Sequence, residues 1–319
     1  MRHGGRATGT IAGALGVIGL GATMVAGVLG MTAPGPAVPA VVTTAAAIAA
    51  PATDSLEQVI RPLLGLSGRL RAVSFATDSL RASPLAALVP ALATRTPGLH
   101  STGLAAPNGD PIRVLNLVPR RAKRGPTWNG YRVGFWPGEQ AARSSTRYPL
   151  PDGFLEVTPE NQDLPLSQHF LVRDFLTHDQ PQVWPKVLVI RLPLLDKLEL
   201  IAAELEALGR PAAVRVMSGF RTPQYNALGV GPRGGRARDS RHMYGDAADI
   251  YVDADGNGSM DDLDGDGRVS ITDARWLAAV ADRVEREHPA ITGGIGIYRA
   301  NAVHGPFVHV DVRGTTARW

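Results

Sequence analysis

The stretch Ser240-Arg-His-Met-Tyr-Gly-Asp-Ala-Ala-Asp-Ile250 decides how this chain is interpreted. Its second half has the composition of a strand, in which successive side chains point to opposite faces. Ala248 and Ile250 are therefore expected in the core, and Asp249 in a groove. His242 lies seven residues before Asp249, a distance of about 23 Å in an extended chain. Gly245 can supply the bend that brings the two side chains together.

A second strand near the end of the sequence repeats this alternation. In Phe307-Val-His-Val-Asp-Val312 the three valines form a core face, and Phe307, His309 and Asp311 form the other face. Two histidines and one aspartate with an open fourth position are typical of hydrolytic zinc sites. The spacing alone also allows a hydrogen-bonded His–Asp pair that holds no metal.

A third segment, Ser218-Gly-Phe-Arg-Thr-Pro-Gln-Tyr-Asn226, precedes these two. Together the segments resemble the zinc D-Ala-D-Ala carboxypeptidase family (M15 type), especially its bacterial cell-wall branch. The shared patterns are Ser-Gly-(Tyr/Phe)-Arg-(Ser/Thr)-Pro-x-x-Asn, Ser-x-His-x-x-Gly-x-Ala-x-Asp, and a late histidine on a strand. The resemblance covers roughly residues 160–319.

The resemblance implies an α+β fold, a small antiparallel sheet with flanking helices as in Hedgehog and DD-peptidase domains. It implies zinc bound by His242, Asp249 and His309. Arg221 would contact the substrate backbone or the developing oxyanion, and Ser240 would be a supporting hydrogen-bonding residue. Tyr225, in the same segment as Arg221, is a further candidate for substrate binding. The implied activity is that of an exported DD- or LD-carboxypeptidase or endopeptidase acting on peptide stems or cross-links of peptidoglycan.

The general base of this family is missing from its usual positions. Several members have a histidine two residues before the last ligand, or a carboxylate three before it. Here Phe307 and Pro306 occupy those positions and cannot take up a proton. Asp311 could act as the base or only orient the imidazole of His309, and His304 could reach the attacking water from a loop. We favour Asp311 as the base. A chain without a working base would be a non-catalytic cell-wall-binding module.

Two overlapping loops between Asp253 and Asp273 resemble EF-hand and dockerin calcium loops. Oxygen-bearing side chains alternate around Gly258 and Gly267, as calcium binding requires. Seven aspartates within these loops repel one another without a cation. The alternatives are a solvated acidic loop and a calcium-dependent adhesion or scaffold domain without zinc. The predicted calcium ligands are Asp253, Asp255, Asn257, Ser259, Asp261 and Asp264 in the first loop, and Asp262, Asp264, Asp266, Arg268, Ser270 and Asp273 in the second.

Because Asp264 belongs to both frames, the sequence leaves open whether one or two calcium ions bind. Position 12 is aspartate rather than the usual glutamate in both loops. The insertion starts four residues after Asp249, so calcium would brace the strand that carries a zinc ligand.

Hydrophobic periodicity predicts the surrounding elements. Helices are expected over Pro193–Gly209, with Pro193 at the start and Gly209 just past the end, and over about Ile271–Glu287. Strands are expected at Ile112–Leu117, Tyr131–Trp136 and Val214–Met217. The aromatic residues between 128 and 136 are interpreted as packing of a small β-unit, the alternative being an exposed glycan-binding platform.

The N-terminus has the pattern of an export signal or membrane anchor. Basic residues precede an uncharged stretch, 7–52, whose part 11–31 is long and apolar enough to span a bilayer. The predicted organisation is a signal peptide or anchor (1–52), a spacer (53–108), a small β-rich region (109–160) and a zinc-peptidase-like domain (161–319) containing the calcium insertion (253–273).

Composition limits the chemistry. The 319-residue chain has no cysteine, which excludes disulfides, thiolate catalysis and Cys-type zinc sites. The net charge of +4 is spread over the chain and does not indicate a nucleic-acid binder. The expected partners are peptidoglycan peptides and, if the N-terminal segment is not cleaved, the membrane.

Overall fold

The computed structural model describes residues 72–76, 81–94, 96–105, 109, 111–140, 148–232 and 234–319. The predicted signal peptide or anchor, 1–52, and residues 53–71 of the predicted spacer lie outside these residues. Among the residues described, no helix has the length and apolar character needed to cross a membrane.

The first half of the described chain contains mainly strands. Its elements are β1 (Ala72–Ala76), the helix α1 (Pro84–Leu88), β2 (Gly98–Ala105), β3 (Pro111–Pro119), β4 (Thr127–Trp128), β5 (Tyr131–Arg132), β6 (Gly153–Val157) and β7 (Lys186–Leu188). β3 pairs in parallel with β1 and antiparallel with β2 and β6, and β6 pairs antiparallel with β7. β4 and β5 form a separate hairpin.

The second half contains three further helices and a second five-stranded sheet. The elements are α2 (Leu192–Ala207), β8 (Val214–Ser218), α3 (Pro223–Leu228), β9 (Ala247–Val252), α4 (Ile271–Glu287), β10 (Gly294–Tyr298), β11 (Phe307–Asp311) and β12 (Ala317–Arg318). The strand order is β12-β10-β11-β9-β8. All neighbours are antiparallel except β12, which runs parallel to β10. The fold is thus mixed α+β with mainly antiparallel sheets.

One face of the second sheet is covered by α4, which also contacts α2. Ile250, Val308 and Val310, which were predicted for the core face, are fully buried. Val312, also predicted there, is only partly buried. Each such aliphatic side chain contributes about 1.5–3 kcal/mol by leaving water. The opposite face carries Asp249 and His309. The alternation in sequence therefore separates a structural face from a chemical one.

The predicted helices are confirmed, and α4 has the bounds that the sequence indicated. Gly209 follows α2 with a φ of 71°, the left-handed conformation that glycine adopts without a Cβ penalty. The predicted strand Tyr131–Trp136 is wrong after its second residue. The backbone leaves the hairpin there because the amides of Val133 and Gly134 both donate to the carbonyl of Pro126, at 2.9 and 2.8 Å.

The hydrophobic core is continuous across the predicted boundary near residue 160. Leu115, Tyr131 and Trp136 belong to the same cluster of buried side chains as Val308 and Val310. Tyr131 and Trp136 are 0% and 1% exposed, which fits packing and not an open glycan-binding platform.

Candidate metal centre and substrate cavity

Strand register brings two of the predicted zinc ligands together. His309 on β11 is directly opposite Asp249 on β9, and Asp249 is also opposite Ser218 at the end of β8. Directly opposed residues of antiparallel strands project on the same face of a sheet. The imidazole and the carboxylate therefore meet without any contribution from loops.

His242 reaches the same point from a short 3-10 turn, Arg241–Tyr244. Gly245 ends that turn with a φ of 69°, and a Cβ there would collide with the backbone of Val189. The predicted bend at Gly245 is confirmed. Nδ1 of His242 lies 2.7 Å from the carbonyl oxygen of Gly219. Because a carbonyl only accepts, we assign the proton to Nδ1, which leaves the Nε2 lone pair free for a ligand.

The three candidate ligand atoms form a nearly equilateral triangle. Nε2 of His242 is 3.2 Å from Nδ1 of His309 and 3.3 Å from Oδ1 of Asp249. Nδ1 of His309 is 3.0 Å from the same oxygen. Tetrahedral zinc with bonds of about 2.0–2.1 Å would hold its ligand atoms about 3.3–3.4 Å apart. The His₂Asp set therefore fits zinc in both donor chemistry and spacing.

Burial and charge prepare these groups as ligands. Burial lowers the pKa of His242 and favours its neutral form. Burial alone would raise the pKa of Asp249, but His242, His309 and Arg221 outweigh it and hold that pKa well below the ordinary value. Burial would also lower the pKa of His309, yet hydrogen bonds with Asp249 and Asp311 raise it. An ion that binds here must displace the proton shared around His309.

Asp311 lies on the far side of the His309 ring from the triangle. Its Oδ2 is 3.2 Å from Nε2 of His309, while its two oxygens also accept hydrogen bonds from the Gly294 amide and the Arg313 side chain. The carboxylate is fully buried. Although burial opposes it, these donors hold its pKa far below the ordinary value. This geometry corrects our preference for Asp311 as base and fits the role of orienting His309.

Arg221 is engaged with the ligand set. Its Nη2 forms an ion pair with Oδ2 of Asp249, the oxygen that points away from the triangle. Its Nε donates to Oγ of Ser218 at 2.8 Å, and its backbone amide donates to the carbonyl of His242 at 3.2 Å. Nη1 has no hydrogen-bond partner within the described part of the chain. Arg221 thus fixes Asp249 and keeps one donor group available.

A cavity of about 840 Å³ opens onto the triangle. The predicted substrate contacts Ser240 and Tyr225 both line it, and so does His304. Both ring nitrogens of His304 are close to neighbouring groups: Nδ1 is 2.8 Å from the carbonyl of Gly305, and Nε2 is 2.8 Å from the side-chain amide of Asn301. His304 is therefore at the cavity wall, with its imidazole already hydrogen-bonded.

His178 is a cavity residue that the sequence did not single out. The neighbouring hydroxyl of Thr177 donates to the carbonyl of Phe220 at 3.0 Å and accepts from the amide of Thr222 at 3.2 Å. These contacts place His178 beside Arg221. The packing around it and the positive charge of Arg221 lower the pKa of His178. Neither ring nitrogen has a hydrogen-bond partner among the residues described, so this imidazole is free to accept a proton.

Trp319 forms another wall that the sequence did not predict. Its ring centroid is 5.3 Å from that of His309, and its Nε1 donates to the hydroxyl of Tyr298 at 2.8 Å. The indole fits because β10 has glycine at position 296, where a Cβ would overlap the ring. Gly294 similarly leaves space for the Asp311 carboxylate. The Gly-Ile-Gly pattern of β10 was the available signal for this packing.

The acidic loops form two separate carboxylate groups after β9. Asp253, Asp255 and Asp261 make one group, and Asp262, Asp264 and Asp273 make the other. Asp264 therefore belongs to the second group.

Both loops repeat one contact at equivalent positions. The amide of Gly258 donates to Oδ2 of Asp253 at 3.1 Å, and the amide of Gly267 donates to Oδ2 of Asp262 at 2.7 Å. The remaining predicted calcium ligands are Asn257, Ser259, Asp266, Arg268 and Ser270, and they lie in the same two loops.

The end of the second loop is also the start of α4. The Ser270 side chain accepts from the amide of Thr272 at 3.1 Å, and Asp273 accepts from the Ser270 amide at 2.7 Å. This is a capping box. Asp273 also accepts from the amide of Leu263 at 2.7 Å. Ser270 and Asp273 thus have a helix-capping role that the sequence analysis did not include.

Comparison with known proteins adds one finding. Residues 174–262 match the sequence model of the family Peptidase M15, a family of metallopeptidases. The matched segment contains Arg221, His242 and Asp249 but ends before His309. Searches among curated proteins and solved structures gave no match. The match supports the M15 peptidase family for this region.

Proposed function

We propose that this protein is an exported zinc-dependent peptidase that hydrolyses peptide stems or cross-links of bacterial peptidoglycan. The observation that carries the proposal is the triangle formed by His242, Asp249 and His309 at the floor of an open cavity. The match of residues 174–262 to the M15 family supports a peptidase. On the same grounds we propose that the whole second sheet has the Hedgehog and DD-peptidase type of fold.

The proposed metal site uses one atom from each side chain. His242 would bind through Nε2, His309 through Nδ1 and Asp249 through Oδ1. Zinc at such a site polarises a carbonyl group and makes water more acidic. The other polar atoms of these ligands are held by Gly219, Asp311 and Arg221. Such outer contacts fix ring orientation and tautomer.

We propose His178 as the proton acceptor in place of Asp311. It lies at the cavity wall beside Arg221, and both of its ring nitrogens are free of partners among the described residues. A lowered pKa keeps the imidazole neutral at neutral pH, as a general base requires. His178 would take a proton from the attacking water and return it to the leaving amine. His304 is the competing candidate from the same cavity.

Arg221 has a positioning role and a proposed binding role. Its ion pair with Asp249 fixes the carboxylate. Its unused Nη1 would donate to the substrate carbonyl as negative charge develops there. Ser240 and Tyr225 complete the wall on this side of the cavity.

We further propose that the two acidic loops bind calcium in a structural role. Support comes from the two carboxylate groups and from the repeated Gly-to-Asp contact at equivalent loop positions. The loops are joined to the site strand, because the amide of Asp261 donates to the carbonyl of Val252 at 2.8 Å. Met260 and Leu263 anchor them in the core. Calcium would therefore stiffen the end of β9, which carries Asp249.

One experiment separates the proposed function from its alternatives. The purified protein is assayed for bound zinc and calcium and incubated with muropeptides, and the products are identified by mass spectrometry. Zinc together with cleavage is the expected result. Zinc without cleavage would favour a cell-wall-binding module, and calcium without zinc would favour an adhesion or scaffold domain. Export is tested by locating the full chain in fractionated cells.

A further inference from the structure

The wall of the cavity is rich in arginine. Arginine suits carboxylate recognition because its planar guanidinium can donate two parallel hydrogen bonds to one carboxylate. These arginines lie in the loops that follow β8 and β10 and in the segments next to the proposed zinc ligands. Those that line the cavity are Arg221, Arg236, Arg241, Arg299 and Arg313.

Three of the five are already neutralised by carboxylates of the chain. These ion pairs join Arg221 to Asp249, Arg241 to Asp246 and Arg313 to Asp311. All three carboxylates are buried. The pairs belong to the scaffold of the site, and each of these guanidinium groups already faces a carboxylate of the chain.

Arg236 and Arg299 differ from these, since neither forms an ion pair within the described part of the chain. The guanidinium of Arg236 lies over the ring of Tyr225, 4.2 Å from its centroid, and its Nη1 donates to the carbonyl of the same residue at 2.6 Å. Arg299 is exposed and makes no hydrogen bond with any described residue. Asp239, which also lines the cavity, accepts a hydrogen bond from Tyr244 at 2.9 Å and pairs with neither arginine.

Strand order puts the segments that carry the two arginines on opposite sides of the triangle. In the second sheet β11 and β9, which carry His309 and Asp249, are between β10 and β8. Arg299 directly follows β10. Arg236 is held against Tyr225, in the helix that follows β8. A peptide lying across the triangle would therefore meet one unneutralised arginine on each side of the bond to be cleaved.

We infer that Arg236 and Arg299 select a peptide that carries a free carboxylate on each side of its scissile bond. This inference rests on the proposed peptidase function and names the chemistry of its substrate. Peptides in which these carboxylates are amidated are poor substrates, because an amide cannot form the charge-assisted pair and carries no charge to complement the guanidinium.

The test uses four versions of one synthetic stem peptide. Both carboxylates flanking the scissile bond are free in the first, one or the other is amidated in the second and third, and both are amidated in the fourth. For the wild-type zinc-loaded protein, each amidation is expected to raise KM roughly 3- to 10-fold with little change in kcat. The reason is that an arginine–carboxylate pair at the cavity wall stabilises the bound substrate and the transition state equally. Arg236→Gln and Arg299→Gln should each remove the discrimination at one carboxylate, and not at the same one.

Three controls keep the outcome decisive. Arg275→Gln removes an exposed arginine of α4 that lies outside the cavity and forms no ion pair with any described residue, and it should keep both preferences. Arg236→Lys and Arg299→Lys should retain part of them because the charge remains. Zinc content and thermal unfolding are measured for every variant.

Equal KM values for all four peptides with the wild-type protein, or unchanged discrimination in both glutamine variants, would overturn the inference and leave the peptidase function standing. Failure of the wild-type protein to cleave any of the four would overturn both.

Discussion

The triangle of His242, Asp249 and His309 and the acidic loops that follow β9 are built in opposite ways. His242, Asp249 and His309 are buried, and each is held by a partner outside the triangle. Within the acidic loops, 253–273, Asp255, Asp264 and Asp266 are exposed, and Asp253 and Asp273 are buried. The carboxylate oxygens accept hydrogen bonds from amides of their own loops. The first group is positioned by the fold. The second is positioned by its own backbone turns, and so its geometry depends more on what it binds.

This contrast leads us to expect different roles for the two proposed metals. A buried set fixed by strand register can be tuned for chemistry, because its ligands need no rearrangement. An exposed loop contributes stability when an ion neutralises its charges.

The largest effect is expected for His309→Ala. Without this imidazole the ion keeps two ligands, so zinc content and hydrolysis should fall to background. Zinc is measured by elemental analysis and cleavage with muropeptides. His304→Ala is the matched control from the same cavity and should keep its zinc. Full activity of the His309 variant would contradict the proposed zinc site.

The next effect concerns proton transfer. His178→Gln should lower kcat by about 10²–10⁴-fold, the usual contribution of a general base, with zinc content unchanged. Since a base works only when deprotonated, activity should fall as the pH drops through the lowered pKa of His178, and this limb of the pH–rate profile should vanish in the variant. His304→Gln is compared in parallel. A larger kcat loss in the His304 variant would transfer the role to that residue.

A smaller effect is expected for Asp311→Asn. The amide preserves the shape of the side chain but weakens the contact that orients His309, so zinc affinity should fall by about 10–100-fold. The reduction in kcat at saturating zinc should be smaller than for His178→Gln. Asp282→Asn serves as control. It changes an aspartate of α4 that forms ion pairs with Arg286 and with Arg318. A kcat loss without an affinity loss would restore Asp311 as the base.

For the acidic loops the effect is one of stability. Calcium at about 100 times its dissociation constant should add about 2.7 kcal/mol to the free energy of unfolding, measured by thermal or urea unfolding with and without chelator. Asp255→Asn and Asp264→Asn, one in each carboxylate group, should reduce this gain separately if two ions bind. No stabilisation by calcium in the wild-type protein would contradict the structural role.

The smallest effect is expected where the first half of the chain supports the site. The indole of Trp136 donates to the carbonyl of Met243, next to His242, at 2.6 Å. Trp136→Phe should cost about 1 kcal/mol of stability and weaken zinc binding. Trp128→Phe removes an indole hydrogen bond to Glu156 instead and should leave zinc affinity unchanged. Equal zinc affinity in both variants would mean that Trp136 contributes only to packing.

Period-2 alternation and the motif residues sufficed to predict much of the site. They predicted the faces of β9 and β11 correctly, and His242 joins them through the bend at Gly245. The sequence could not show that Asp311 lies behind His309. Alternation places both residues on one strand face, but only their neighbours in space decide the role of each. Those neighbours, Arg313 and the amide of Gly294, come from other turns and strands.

The contributions of distant segments were also out of reach of a sequence pattern. His178 is exposed, and no sequence pattern shows that Thr177 bonds both residues that flank Arg221. Trp136 and Met243 are separated by more than a hundred positions, and no local pattern joins them. Helices such as α4 were predictable because their periodicity is local and long.

The glycines of β10 have a consequence for how such a protein can diversify. Any side chain at positions 294 or 296 would collide with the Asp311 carboxylate or the Trp319 indole, so a substitution at either glycine would have to displace one of these groups. Under the roles proposed for Arg236 and Arg299, substrate preference can change at those two positions without a change in β10.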